Sequence, residues 1–107
     1  MIEPMSEPLN NTQSELVSAT AKIRFMELQR FFAQGKLLLV NPTIDLVEVA
    51  TMIVNDQSVE INSLIETQKL SIPDDQVAKQ WVSDDAVLWC VVVAPFVLVQ
   101  ELTDEHA

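Results

Sequence analysis

A chain of 107 residues is the length of one domain. With 49% hydrophobic residues, 21% charged residues and a single Gly, it has material for a core, which excludes disordered, collagenous and linker classes. Sixteen acidic residues against six basic ones, a formal net charge of -10, repel phosphate backbones and anionic bilayers, so no nucleic acid and no membrane is expected as a partner.

Residues 1–11, MIEPMSEPLNN, carry acids and two prolines where a secretory leader has a basic patch followed by an apolar run. They read as a flexible N-terminal segment of a cytoplasmic protein, ahead of one domain over residues 12–102. Residues 103–107 read as a flexible tail. The longest apolar run, Ala86 to Val99, is 14 residues with Pro95 inside it, short of the ~20 that a spanning helix needs.

Thr12-x-x-Glu15 has capping-box spacing, and a first helix is expected from about Thr12 to Gln34, stopped by Gly35. On a helical wheel its apolar residues form two stripes, Val17, Ala21, Phe25, Leu28 and Phe32 on one and Leu16, Ala19, Ile23 and Met26 on the other. Either the two make one wide face curved around the core, or one stripe meets another chain. Lys36 to Val40 is a short apolar strand, and Asn41 or Thr43 can cap a second helix over Ile44 to Asn55 with Leu46, Val47, Val49, Ala50, Ile53 and Val54 on its apolar side. Asp45 falls in its first turn, and Glu48 faces solvent.

After a short polar turn, Ile61, Leu64 and Ile65 mark a third helix to about Lys69. Leu70 to Ile72 is extended, and Asp74 caps a fourth helix with Val77, Ala78, Trp81 and Val82 on its apolar face. Val87 to Gln100 is apolar on both alternating faces, as in a strand covered on both sides, and Pro95 should kink or split it.

This order predicts a small α+β domain, helices packed on a short antiparallel sheet in a winged helix-turn-helix-like sequence; a generic two-layer α+β sandwich is the alternative. The third helix would occupy the recognition position. It exposes Glu60, Asn62, Ser63, Glu66, Thr67, Gln68 and Lys69 without any Arg, which suits protein contact better than base or phosphate reading.

No catalytic constellation is visible. Cys90 is the single Cys and His106 the single His, too few for a thiol–base pair near a core or for a zinc site. The carboxylate pairs Asp45 with Glu48, Asp74 with Asp75, and Asp84 with Asp85 sit at helix ends, where capping is their ordinary role. With Gly35 as the only glycine there is no phosphate loop. Trp81, Trp89, Phe31, Phe32 and Phe96 read as core, and Met26 and Met52 as gap fillers or an adaptable surface. No cofactor, metal ligand or catalytic residue is assigned.

The strings GKLLLVNPTIDLVEVA (Gly35 to Ala50) and VVVAPFVLVQ (Val91 to Gln100), with FFAQG running into the first, resemble a bacterial family of small uncharacterised proteins, domain of unknown function 2288. The likeness spans about Leu16 to Gln100, with one conservative departure at Phe25, where the family often has Trp. It implies a bacterial cytoplasmic protein and carries no activity with it.

The second stripe on helix one and a final strand apolar on both faces suggest surface buried outside one chain. The function expected is a non-enzymatic interaction module, binding a protein partner or itself as a homodimer through Val17, Ala21, Phe25, Leu28, Phe32, Val97 and Val99. A DNA-binding winged-helix regulator and then a carboxylate-dependent enzyme rank below it.

Overall fold

A computed structural model describes residues 15–16 and 19–102. The expected flexible ends, the Thr12 cap, Val17 and His106 lie outside the described residues.

The first stretch departs most from expectation. Glu15, Leu16 and Ala19 are helical, but Ala21–Arg24 is a strand, β1. Phe25–Leu28 is a 3-10 turn and Gln29–Ala33 a short helix, α1. The long helix is therefore corrected to a helix, a strand, a turn and a helix. Helix propensity is a weak prior that tertiary pairing overrides. Here β1 pairs antiparallel with the apolar Val87–Val93 strand, from Ala21 opposite Cys90 to Arg24 opposite Val87. Lys22 lies over the Trp89 ring at 5.1 Å, and Arg24 bonds Asp85 at 2.9 Å.

The remaining elements follow the expected order. Strand β2 is Leu37–Val40, α2 Leu46–Val54, α3 Ser58–Glu66, β3 Leu70–Ser71, α4 Asp75–Ser83, β4 Val87–Val93 and β5 Phe96–Glu101. Asp45 caps α2 by accepting from the Val47 N–H at 2.9 Å, and Asp74 caps α4 by accepting from the Val77 N–H at 2.9 Å. Asn41 instead accepts from the Thr43 N–H and hydroxyl in the turn before α2. Pro95 divides the final apolar run into the β4–β5 hairpin.

All four of these helices end alike. Gly35, Asp56, Gln68 and Asp85 each have positive φ, and each donates to the carbonyl three residues back while its successor donates five residues back. This pair of bonds is the Schellman ending, and three of the four are made without glycine.

The sheet order is β1-β4-β5-β2-β3. It is a mixed sheet, because β2 and β5 run parallel while the other pairs are antiparallel. The short antiparallel sheet expected from the winged-helix order is corrected accordingly, although β2, α2, α3 and β3 keep the strand–helix–turn–helix–strand succession. The class is α+β, as expected.

Both faces of the sheet are covered by the chain's own helices. On one face Val40, Val91, Val93 and Leu98 pack with Leu46, Val49 and Ala50 of α2, Leu70 and Leu16, and with partly buried Ile61 and Leu64 of α3. On the other, Leu37, Leu88, Cys90, Val97 and Val99 pack with Phe25, Leu28, and Ala78 and Trp81 of α4. Successive side chains of a strand point to opposite faces, so the doubly apolar β5, central in the sheet, feeds both cores. Gln100 donates from Nε2 to the carbonyls of Asn41 and Ile44 at 3.0 and 2.7 Å, which ties the entry of α2 to β5.

Candidate functional site

The structure places most of the sequence-predicted interface residues in the chain's own interior. Phe25, Leu28, Val97 and Val99 all belong to the core shared with α4, at 1%, 6%, 2% and 0% exposure. Side chains buried this fully within one chain present no surface to a second, so these four positions are corrected from interface to core. Phe32 is half-buried, packed edge to face on Phe25 with centroids 6.0 Å apart, and Ala21 is exposed on β1. The two stripes do not persist as faces of one helix, since Ile23, from the stripe of Leu16, packs against the Phe25 core and Met26 of that stripe is exposed. Leu16 enters the core on the α2/α3 face and Phe25 the core on the opposite face, because the chain crosses from one side of the sheet to the other at the edge strand β1.

Four of the six paired carboxylates have structural partners. Asp45 and Asp74 are caps, Asp85 holds Arg24, and Asp84 accepts from Gln80 Nε2 at 2.9 Å. The Cys90 thiol is 5% exposed, and desolvation raises its pKa to about 11, which keeps it protonated and a poor nucleophile at neutral pH. Trp81 donates from Nε1 to Glu101 Oε2 at 3.0 Å, so the core tryptophan has its polar partner at the sheet's end. Among the described residues, no group of His, Cys, Asp and Glu has the proximity of a metal site.

The concave feature with binding character lies elsewhere, at the far end of the α2/α3 layer. A groove of about 580 Å³ is floored by Leu38, Leu70 and Phe96 of the sheet and walled by Ile53, Ile61, Ile65 and Ile72. Asp56, Gln68 and Ser71 complete its lining. Its size and mainly apolar lining match those of ligand and peptide sites in general.

Local sequence builds it. Ile61 and Ile65 stand one turn apart on α3 and so share a face. The Asn55–Gln57 link turns α3 back beside α2, with Asp56 in the left-handed conformation at φ 57°. Gln68, at φ 62°, turns the chain out of α3 into β3, which brings Ile72 into the groove's lining. Ile65 and Ile72 remain 52% and 61% exposed, an unusual state for two isoleucines facing one cavity.

A second cleft of about 400 Å³ runs between the 3-10 turn, α1 and α4, lined by Phe25, Phe32, Ala78 and Val82 with the polar Gln29, Asp75, Lys79 and Ser83. It is shallower and its apolar floor is the core itself. A third, of about 600 Å³, lies along the outer face of α4 and is lined by Gln76, Val77, Lys79, Gln80 and Ser83.

The groove was not legible in sequence. Ile61 and Ile65 read as the core side of a helix, and nothing local distinguishes an isoleucine that packs from one left half-covered.

Residues 11–101 match the family model described as a protein of unknown function, DUF2288. The chain belongs to the DUF2288 family. The match takes in every element of the sheet and both helical layers, and the resemblance seen in the sequence is thereby borne out. The chain is also similar, at 36% identity and a TM-score of 0.78, to PA1075 from Pseudomonas aeruginosa, known from an NMR solution structure; the likeness covers 98% of this chain and 97% of that one. No curated protein matches the chain. Family membership thus comes with a fold and without an activity. No helix among the described residues is long and apolar enough to cross a membrane.

Proposed function

We propose that this chain is a non-enzymatic protein-interaction module of the cytoplasm, which takes up an apolar segment of a protein partner in the groove between α2, α3 and β3. The observation that carries the reading is the open isoleucine-lined groove, with Ile65 and Ile72 half or more exposed among its lining residues. Burying apolar area of this kind contributes about 25 cal/mol per Å², and exposed apolar patches on soluble domains commonly mark contact surfaces. The carboxylates engaged as caps and surface partners, and the buried Cys90 thiol, support a role without catalysis.

Nucleic acid is not the proposed partner. The helix in the recognition position, α3, carries Glu60 and Glu66 and no Lys or Arg. A duplex reader needs such cations for phosphates and guanine edges. Nor is a dimer through Phe25, Leu28, Val97 and Val99 proposed, since these side chains are core.

The test compares tagged wild type with Ile65→Glu and Ile72→Glu, and with Val92→Glu as a control on an exposed apolar residue outside the groove. A partner held through the groove is lost from both isoleucine variants and kept by the control. Equal recovery by all four proteins would sink the reading.

A further inference from the structure

Charge is distributed unevenly over the two helical layers. From Asn41 to Gln68, a stretch that contains all of α2 and α3, the chain carries Asp45, Glu48, Asp56, Glu60 and Glu66 and no Lys, Arg or His. Of the six cations, Lys22 and Arg24 are on the edge strand β1, where Lys22 lies over Trp89; Arg30, Lys36 and Lys79 are outside α2 and α3; and Lys69 follows α3, half-buried between Gln68 and Leu70. Asp56 itself lines the groove, and Glu60 and Glu66 are exposed on the helix that supplies Ile61 and Ile65. Asp56 is the one charged residue among those lining the groove, and an apolar trough beside an acid-only pair of helices favours positive charge in whatever fills it.

Building on the interaction reading above, we propose that the groove's occupant is an amphipathic helix of a partner protein, with apolar residues at i, i+3, i+4 and i+7 and Lys or Arg flanking that stripe. A helix satisfies its own backbone groups and needs only the groove for its side chains. Strand addition at the edge beside the groove has little to work with, because β3 spans two residues and Pro73 has no N–H to offer. A second copy of this chain is opposed by its net charge of -10. The chain's own residues 1–14 carry Glu3 and Glu7 and no cation, so they lack the matching charge as well.

The experiment uses the full chain with labelled isoleucine methyls and three synthetic 18-residue peptides. The first has leucines at helical spacing flanked by lysines, the second has the same leucines flanked by glutamates, and the third keeps the lysines but scrambles the leucine order. The lysine peptide should shift the methyls of Ile53, Ile61, Ile65 and Ile72 and bind at least tenfold tighter than the glutamate peptide at low salt. The gap should narrow at high salt, where exposed charges are screened. The scrambled peptide should leave those methyls unmoved. Asp56→Asn combined with Glu60→Gln and Glu66→Gln should reduce the lysine preference severalfold, since Asn still tolerates positive φ at position 56.

Equal affinity of the lysine and glutamate peptides at the groove overturns the charge assignment and leaves apolar docking standing. Absence of groove methyl shifts with every peptide overturns both. Methyl shifts that depend on protein concentration without peptide assign the groove to a second copy and overturn the proposal.

Discussion

On the α1/α4 side of the sheet, Phe25 stands between Phe32 and Trp81, with ring centroids 6.0 and 5.1 Å away, whereas on the α2/α3 side Ile53, Ile61 and Ile65 line a space that stays open. Both layers cover the same strands. On the first side the rings pack on one another and leave a smaller cleft between the 3-10 turn, α1 and α4, while on the second branched aliphatic side chains leave the larger groove beside Leu70. The two sides also differ in charge, since α2 and α3 carry acids and no Lys or Arg while α1 and α4 carry Arg30 and Lys79. Within one small domain, the two faces of a single sheet are thus covered by different kinds of packing.

The largest test of that difference is Phe25→Ala, which removes the ring between Phe32 and Trp81. It should cost about 3–5 kcal/mol in chemical denaturation, the range for deleting a buried aromatic. A loss below about 1 kcal/mol would mean the α1/α4 side is not the packed layer described.

A smaller loss is expected at alkaline pH. Burial raises the Cys90 pKa from 9.0 to about 11, so the folded state holds its proton where the unfolded chain releases it. The contribution is complete below pH 9, declines as pH rises through 9 to 11, and should be missing from the stability–pH curve of Cys90→Ala. In the same window, alkylation of native protein should be slow relative to denatured protein.

The helix endings give a matched pair of lesser effects. Gly35 sits at φ 73°, so Gly35→Ala should lose about 1–2 kcal/mol to left-handed strain even though no atom lies within 4 Å of the added methyl. Gln68→Gly should gain up to about 1 kcal/mol by relieving that strain at a position now held by a non-glycine. Melting temperatures moving in the same direction for both would contradict the Schellman assignment.

The smallest stability effects belong to the open side. Ile65→Glu and Ile72→Glu, on side chains already half or more exposed, should change stability by less than about 0.5 kcal/mol, as surface substitutions usually do. Their consequence should appear in binding alone. If either variant unfolded as readily as Phe25→Ala, the contrast between the packed Phe25 core and the open groove would fail.

Much of the architecture was readable from residues 36 to 100. Gly35 and Pro42 bracket β2, Asp45 and Asp74 announce α2 and α4, and Pro95 divides the last apolar run. The stretch before Gly35 was not readable, since Ala21 to Arg24 favour a helix by composition and become a strand only through the ladder offered by β4. Asp56, Gln68 and Asp85 gave no sign of their left-handed backbone, because that signal is strong only for glycine.

By itself, then, the sequence determined the features set by local physics: one domain, an acidic surface, helix caps, the strand bounded by Gly35 and Pro42, and a final segment apolar on both faces. Only the tertiary structure decided what that apolar surplus meets. It joins β5 parallel to β2 in the centre of a mixed sheet, clothes both faces with the chain's own helices, and turns Phe25 and Val99 from candidate contacts into core. It also leaves Ile65 and Ile72 uncovered. Periodicity records which side of an element is apolar, while coverage depends on how far each neighbouring element extends, and that is fixed by long-range packing.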